Sequence, residues 1–535
     1  MDRHVYPVAI VGGGPVGLLT ALLLVRRGVE CVLLERHAGV SDHPRAMSLT
    51  ARTMAIFQSL GLESAVQTGS LDMHGRSLAV WARTLVGEEW GTIPLPRGED
   101  GEPLSDGIHC PQLVTECALL AALEKEERAS ILFEHEVLSV MEQSDGTVHL
   151  SVRRPAPNVP LELTCRFLVA ADGAASSVRR TLDIHAEGPG DQGHFLNVYF
   201  RAAFGHHLKH RRAVLYQTLD VGRFEAFVAV NGDDLWLMHH FLSPGESPSD
   251  LTHARLAEII GEASGLPEEP VEILGVSPWV MSPKVAHRFR SGQIFLAGDA
   301  AARLSPTGGL GMNTGLQAAH NLAWKLSAVI HGASESILDS YESERRPVAL
   351  ASFHISDGFR KEVFETIEAG IDGDFNRVKA LVSASVRTTN PGDGLGVRYD
   401  HGAFLRDVAS AASAVPGGLI PPIALADEDE QFMIQKWLGN DWLLIAAGDA
   451  SAWKMAALKV SVYSDAALLV RQVGGVGGAN DVDGTFLETF GIRPGGAVLV
   501  RPDGFIAWVC PDRPDSAEDA LRGAIDGIFL PHLPT

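Results

Sequence analysis

Three glycines near the start of the chain have the spacing of a phosphate-binding turn. An apolar run over residues 5–11 precedes Gly12, Gly14 and Gly17, and a helical pattern follows over residues 18–27. In such a turn the first glycine permits the tight bend, the second lets the backbone approach a pyrophosphate, and the third lets helix pack on strand. Because a helix N-terminus attracts anions, the sequence predicts a dinucleotide site here.

An acidic residue, Glu35, ends the second predicted strand, residues 30–34. A carboxylate at this place can accept hydrogen bonds from both ribose hydroxyls of an adenosine, and it would repel a 2′-phosphate, so the site is not one for NADP. Arg36, next to Glu35, and Val16, in the glycine turn, are also predicted to contact the dinucleotide. The motif itself leaves NAD and FAD open.

Two further stretches place a carboxylate at the end of an apolar strand. Residues 167–179 read FLVAADGAASSVR, and their strand ends in Asp172 and Gly173. Residues 293–326 contain another buried strand, then Asp299, a Gly/Pro loop and a long helical pattern.

These three stretches, in this order, resemble the class A flavoprotein monooxygenases, the family of para-hydroxybenzoate hydroxylase and phenol hydroxylase. The resemblance covers about residues 5–350 and implies that the dinucleotide is FAD. It implies that Asp299 binds ribityl hydroxyls and that backbone N–H groups of Met312 and Asn313 point at the flavin pyrimidine. A helix N-terminus there stabilises the negative charge of reduced flavin. The resemblance assigns the remaining flavin-site contacts to Arg45, Gln112, Val137, Asp172, Gly173, Gly308, Gly309 and Gly311.

The same resemblance implies a reaction. NADPH or NADH reduces FAD, O₂ gives a flavin C4a-hydroperoxide, and its distal oxygen attacks a phenolic or polyketide aromatic ring. Arg45 would lie beside the flavin and the nicotinamide approach, with Pro306 and Thr307 at the reacting edge, and no side chain is identified as a base. Ala302 and Ala318 stand where the family usually has His and Asp, which bears on activity more than on FAD binding. Baeyer–Villiger or epoxidising oxygen insertion and a non-catalytic FAD-binding protein remain as alternatives.

A change of pattern between residues 183 and 290 predicts the substrate side. Alternating strands separated by polar turns indicate a mostly antiparallel sheet that forms a wall of the pocket. Tyr216, Phe227 and His239 are candidate substrate contacts, and the alternative for each is packing within the sheet. The pair His206–His207 predicts a solvated loop and no metal site, because the sequence shows no carboxylate or thiol that completes it.

Composition limits the partners and the compartment. The formal net charge of −22 would repel nucleic acid and anionic membranes, so a small aromatic substrate and O₂ are expected. The five cysteines contain no CxxC pair, which counts against dithiol–flavin chemistry. Residues 5–25 carry no charge, but their glycines favour strand–turn–helix over a membrane span. We expect a cytoplasmic protein, and a homodimer is left open.

The expected fold class is α/β. A Rossmann-like FAD-binding domain, residues 1–182 and 291–390, is interleaved with a β-sheet substrate domain, residues 183–290. A Gly/Pro/Ala-rich linker, residues 391–425, leads to residues 426–535, which resemble the thioredoxin-like C-terminal domain of the phenol hydroxylase branch without its redox cysteines.

Overall fold

The computed structural model describes most of the chain as alternating strands and helices. The described residues are 4–95, 107–155, 160–243, 245–385, 397–405, 412–428, 430–439, 441–460, 462–463 and 468–529. The strands are β1 (Val5–Val11), β2 (Cys31–Leu34), β3 (Ser77–Ala82), β4 (Glu89–Ile93), β5 (Ala129–Leu132), β6 (Glu136–Glu142), β7 (Val148–Arg153), β8 (Leu161–Ala170), β9 (Ala186–Glu187), β10 (His194–Arg201), β11 (Ala213–Asp220), β12 (Arg223–Ala229), β13 (Leu235–Phe241), β14 (Glu272–Val280), β15 (Lys284–Ala286), β16 (Arg290–Ser291), β17 (Ile294–Leu296), β18 (Ala302–Arg303), β19 (Ala424–Ala426), β20 (Gln431–Met433), β21 (Leu443–Ala447), β22 (Leu469–Val473), β23 (Asn480–Asp481), β24 (Ala497–Val500) and β25 (Ile506–Cys510). The helices are α1 (Pro15–Val25), α2 (Ala51–Ser59), α3 (Glu63–Thr68), α4 (Gln112–Leu123), α5 (Ser177–Thr181), α6 (His253–Ser264), α7 (Leu310–Ile330), α8 (Asp339–Ile371), α9 (Phe375–Ala384), α10 (Ser451–Ala457), α11 (Phe486–Phe490) and α12 (Ala517–Phe529).

The first sheet contains the predicted nucleotide-binding strands. Its order is β16-β17-β8-β1-β2-β5, and β1 runs parallel to both of its neighbours. Val8, Ala9 and Ile10 are fully buried, as expected for a parallel strand covered on both faces. The uncharged run over residues 5–25 is therefore a strand, a turn and helix α1, which packs on α4 and α7. In the described part of the chain, no helix has both the length and the apolar character needed to cross a bilayer.

The second sheet forms the predicted substrate side. Its order is β14-β10-β13-β12-β11-β3-β4, and the pairs within β14-β10-β13-β12-β11 are antiparallel. One face packs on α6 through a core that includes Leu196, Phe200, Trp236 and Leu256. The opposite face turns toward the first sheet.

The boundary predicted at residue 182 differs from the structure in one respect. Strands β3 and β4, residues 77–93, belong to the second sheet, because Ser77–Ala82 pairs in parallel with Ala213–Asp220. The substrate sheet is thus built from two segments separated by the strands of the first sheet. The boundary predicted at residues 390–391, with Asn390, Pro391 and Gly392, lies outside the described residues.

Helix α8 connects the two sheets. Its first turns contact the first sheet, where the Glu342 carboxylate accepts a hydrogen bond from the backbone N–H of Phe289, the residue before β16, at 2.7 Å. Its last turns cover β11 and β12 of the second sheet. Pro347 lies inside the helix between these two parts, where it removes a backbone N–H and bends helices.

The C-terminal unit has a four-stranded sheet of order β22-β21-β24-β25. β22 is parallel to β21, whereas β24 is antiparallel to both of its neighbours. This arrangement is compatible with the thioredoxin-like prediction, which stays a prediction. Part of the predicted linker packs on this unit, since the Tyr399 and Phe505 rings stack with centroids 4.1 Å apart.

A buried ion cluster joins the C-terminal unit to α7 and α8. We define it as Lys325, Asn321, Glu344, Arg501 and Asp503, all essentially without exposure to solvent. Arg501 donates to both Glu344 oxygens at 2.7 and 2.8 Å and to Asp503 at 2.8 Å, and Lys325 donates to Glu344 at 2.7 Å. The cluster balances two cations against two carboxylates, and Asn321 donates to both acids.

Candidate active site

A cavity of about 2800 Å³ lies between the first sheet, the second sheet and the start of α7. It gathers residues that are far apart in the chain. The predicted site residues that line it are Gly12, Gly14, Val16, Glu35, Arg36, Arg45, Gln112, Val137, Asp172, Gly173, His239, Asp299, Pro306, Thr307, Gly308, Gly309, Gly311 and Met312. The predicted residues that do not line it are Gly17, Tyr216, Phe227 and Asn313.

The N-terminus of α1 opens onto this cavity. Gly14 is the N-cap, no side chain caps the helix, and a Cβ at Gly14 would meet nothing within 4 Å. At Gly17, in contrast, a Cβ would lie 1.9 Å from the Gly12 carbonyl oxygen. Gly17 therefore shapes the turn from behind, while Gly14 leaves free space where an anion can approach the backbone.

Glu35 lies at the rim of the cavity beside the glycine turn. Its Oε2 accepts a hydrogen bond from the Gly13 N–H at 2.6 Å. Its Oε1 accepts from the His37 N–H at 2.9 Å, and the His37 ring Nδ1 lies 2.5 Å away. His37 also lines the cavity and was not among the predicted site residues. Its position two residues after Glu35 is the feature of the sequence that could have pointed to it.

Two aspartates present carboxylates to the cavity. Asp172 accepts a hydrogen bond from the Val178 N–H at 3.2 Å through Oδ2, while its buried Oδ1 has no partner among the described residues. Asp299 lines the cavity, and burial among the surrounding residues raises the pKa of its carboxyl, while Arg303 and Arg45 oppose that shift. A partly buried carboxylate is stabilised when a ligand donates hydrogen bonds to it.

The start of α7 forms a second open cradle. Gly308 and Gly309 have φ of 95° and 69°, a region that favours glycine. The Asn313 side chain braces this loop from behind: Oδ1 accepts from the Thr50 N–H at 2.9 Å, and Nδ2 donates to the Ser48 and Gly309 carbonyls. The sequence predicted only a backbone role for Asn313. It did not indicate that the Asn313 side chain also binds the backbone of Ser48 and Thr50.

The substrate candidates Tyr216 and Phe227 were assigned to the wrong face of the sheet. Both are buried in the core against α6, and the Tyr216 hydroxyl accepts from the Ala213 N–H at 2.9 Å. Since side chains alternate along a strand, their neighbours face the cavity instead. The side chains missed on that face include Asn197, Leu215, Gln217, Ala226, Val228 and Trp279.

The structure also corrects the reasoning about His206 and His207. Glu269 does approach them, with Oε2 3.6 Å from His207 Nε2, and the three side chains could hold an ion. The carboxylate comes from the segment between α6 and β14, which no local pattern connects to the two histidines.

Comparison with known proteins decides the family. The family description "FAD binding domain" matches residues 5–355, and "Aromatic-ring hydroxylase, C-terminal" matches residues 413–530. The chain belongs to the FAD-dependent aromatic-ring hydroxylases. Tetracenomycin A2 monooxygenase-dioxygenase of Streptomyces glaucescens is 32% identical over 99% of this chain and 98% of its own length. The 4-methyl-5-nitrocatechol 5-monooxygenase of a Burkholderia species is 31% identical over 98% and 97%.

Solved structures agree with this assignment. The flavin-dependent monooxygenase PieE, in complex with FAD and substrate, has a TM-score of 0.88 and 27% identity, with 99% of this chain and 100% of that chain covered. An aklavinone-11 hydroxylase with FAD and aklavinone has a TM-score of 0.83 and 28% identity over 99% of this chain and 100% of its own. The predicted α/β fold, FAD cofactor and aromatic monooxygenase class are therefore confirmed.

The cavity of this aromatic-ring hydroxylase fits FAD on its own geometry. Two helix N-termini, of α1 and α7, face it without side-chain caps, and glycines leave the space that a pyrophosphate and a flat ring need. The Asp299 carboxyl, which lines the cavity, provides an acceptor for cofactor hydroxyl groups. Ala302 and Ala318 are buried and do not obstruct this space.

Proposed function

We propose that this enzyme hydroxylates a phenolic ring within a multi-ring, polyketide-like substrate, with electrons from NAD(P)H and oxygen from O₂. The size of the cavity carries the proposal. Pockets for drug-sized ligands measure roughly 300–1,000 Å³, whereas this one measures about 2800 Å³ and continues from the glycine turns along the second sheet. It can hold FAD and a ligand of several fused rings together. Relatives whose names refer to tetracenomycin and aklavinone support a multi-ring substrate.

The reaction balances as Ar–H + O₂ + NAD(P)H + H⁺ giving Ar–OH + H₂O + NAD(P)⁺. FAD, when bound, supplies the electron transfer and O₂ activation. The chain's own tasks are to hold the ring in place and to keep bulk water away from it. The apolar side chains along the sheet and on α8 suit the second task, among them Leu215, Phe224, Val228, Phe359 and Val363.

Four groups are proposed to hold FAD. The α1 N-terminus would bind the pyrophosphate, Glu35 the adenosine ribose, and Asp299 the ribityl chain. The N–H groups at the start of α7, at Met312 and Asn313, would stabilise negative charge on the reduced ring. Arg45 would add positive charge at the cavity mouth. The proposal also places the enzyme in the cytoplasm, acting on a small molecule and not on nucleic acid.

Replacing Asp299 with alanine is expected to weaken FAD binding about 10- to 100-fold. A hydrogen bond to a charged group contributes roughly 1.5–3 kcal/mol, and Asp299 would make such bonds to ribityl hydroxyls. Titration of the apoprotein with FAD, followed by the quenching of flavin fluorescence, measures the change. Asp526→Ala, at an exposed position on α12, is the matched control. An unchanged dissociation constant for Asp299→Ala would remove this residue from the cofactor site.

A two-sized substrate panel tests the proposed function. Aklavinone and tetracenomycin A2 represent multi-ring substrates, and 4-methyl-5-nitrocatechol represents a single ring. We expect the multi-ring compounds to accelerate NADH or NADPH oxidation and to give a product that gains one oxygen atom by mass spectrometry. Preference for the single ring would refute the size argument, and H₂O₂ without oxygenated product would refute hydroxylation. Product NMR separates ring hydroxylation from Baeyer–Villiger insertion or epoxidation.

A further inference from the structure

Three polar side chains are joined by hydrogen bonds on the sheet wall of the substrate cavity. His239 on β13 lies directly opposite Asn197 on β10, and Trp279 is on the adjoining strand β14. All three line the cavity. We call them the Asn197 trio. Apolar neighbours flank two of them: Ala226 faces His239 across the strand pair, and the Phe195 ring stacks on Trp279 at 4.6 Å. Ser277, opposite Asn197, and Gln217, opposite Ala226, are polar residues that also line the cavity.

The trio lies next to the loop predicted to face the reacting edge. Arg303, at the start of that loop, donates a hydrogen bond to the carbonyl of Val280, the residue that follows Trp279. Ser305 lies 3.9 Å from the sulfur of Met281, one residue further on. The strand that carries Trp279 therefore leads directly into the wall beside Pro306.

The hydrogen bonds of the trio determine which nitrogen of His239 carries a proton. Asn197 Oδ1 lies 2.5 Å from Trp279 Nε1 and 2.6 Å from His239 Nδ1. An indole N–H can only donate, so the Asn197 atom that faces it must be the oxygen. That oxygen can only accept, and therefore His239 Nδ1 carries the proton. In the neutral ring, Nε2 is then a free acceptor.

The surroundings keep the ring neutral. Burial, assisted by His43, lowers the pKa of His239 to about 4. His43 is the titratable group that faces His239, while β10, β12 and β14 present Asn197, Ala226 and Trp279, which do not ionise. No described residue hydrogen-bonds to Nε2. A largely buried acceptor without a partner gains from a donor on the ligand.

We propose that His239 is the base that accepts the proton of the substrate's phenolic hydroxyl, with Asn197 and Trp279 as positioning residues. This proposal rests on the proposed function. The hydroxyl O–H bond breaks, an N–H bond forms at Nε2, and the released electron pair moves into the ring, where it makes the ortho and para carbons more nucleophilic. The phenolate formed beside the imidazolium offsets the cost of charging a buried histidine whose pKa is low. Oxygen transfer then gives a dienone whose C–H proton moves to the carbonyl oxygen as the ring becomes aromatic again. The imidazolium releases its proton to solvent, where it neutralises the hydroxide from the second oxygen atom of O₂.

Two probes separate base catalysis from packing. Aklavinone carries weakly acidic phenols, whereas the nitro group of 4-methyl-5-nitrocatechol lets its hydroxyl ionise without help near neutral pH. For His239→Gln we expect kcat with aklavinone to fall by roughly 10²–10⁴-fold, and kcat with the nitrocatechol to change much less. The loss with aklavinone should shrink as the pH rises. His194→Gln, at an exposed position on β10, is the matched control, and flavin absorbance verifies that FAD stays bound.

A second variant tests the positioning role. Asn197→Asp keeps an acceptor for Trp279 but places a carboxylate beside His239, which should raise the pH at which kcat declines on the acid side by about 1–3 units. Equal losses for both probes in His239→Gln, or an unmoved acid limb in Asn197→Asp, would overturn the base assignment. If the wild-type enzyme oxygenates neither probe, the proposed function itself fails. If the wild type is active and His239→Gln is equally active, the base assignment fails while the proposed function stands.

Discussion

Alanine at Gly17 is expected to destabilise the FAD-binding unit by about 3 kcal/mol or more. The added Cβ would lie 1.9 Å from the Gly12 carbonyl oxygen. Overpacking typically costs about 1–3 kcal/mol and occasionally more, and the upper end is expected here because the clashing atom belongs to the backbone. Gly12 cannot retreat easily, because its φ is 107° and its own Cβ position faces the Ala171 carbonyl at 2.3 Å. Urea unfolding of the apoprotein, followed by circular dichroism, measures the change.

Gly14→Ala is the matched variant, and it should behave differently. The residue has φ of −74° and ψ of −177° and free space around it, so an alanine fits the apoprotein without strain. The methyl group would occupy the space proposed for the pyrophosphate, and we expect FAD affinity to fall at least about tenfold. A stable Gly17→Ala protein would contradict the packing argument. A Gly14→Ala protein that binds FAD normally would contradict the placement of the pyrophosphate.

Replacing Arg501 with methionine should lower the free energy of unfolding by about 3–5 kcal/mol, because it leaves the Glu344 and Asp503 carboxylates buried without their main partner. The Arg501 guanidinium also lies over the Trp324 ring, 5.1 Å from its centroid. Arg522→Met removes an exposed pair with Glu518 and should change stability by less than about 1 kcal/mol. Comparable losses of stability in Arg501→Met and Arg522→Met would show that the buried cluster stabilises the fold no more than an exposed ion pair does.

The ion cluster also predicts acid sensitivity. Burial alone would raise the pKa of Glu344 and Asp503, but Arg501 and Lys325 outweigh it and hold both carboxyls below their ordinary values. Carboxyls with lowered pKa stabilise the fold at pH values above their ordinary range, and this contribution is lost as the pH falls. The stability difference between wild type and Arg501→Met should therefore shrink on acidification, which urea titrations at several pH values would measure.

The cofactor half could be predicted from sequence because its signals are local. The predicted strands at residues 5–11 and 30–34 correspond to Val5–Val11 and Cys31–Leu34, and the glycine turn between them needs no distant contact to be identified. The acids Asp172 and Asp299 follow directly after apolar strands. Each of these motifs contains its own strand, turn and helix.

The substrate half was less predictable for a physical reason. β11 is buried along most of its length on both faces, so its apolar pattern does not show which side chains face the cavity. A shift of one residue reverses the two faces, and this accounts for the assignment of Tyr216 in place of Gln217. The pairing of β3 with β11 and the approach of Arg501 to Glu344 join segments more than a hundred residues apart, beyond the reach of any local pattern.

Helix α8 has two halves with different neighbours. Before Pro347, Glu342 binds the backbone beside the first sheet and Glu344 belongs to the buried ion cluster. After the proline, Phe359, Val363 and Ile367 face the cavity. Exchanges in the second half can therefore reshape the chamber while the cofactor unit stays intact. This division makes the distal half of α8 a natural place for divergence between substrates, and a first choice for directed evolution of the enzyme.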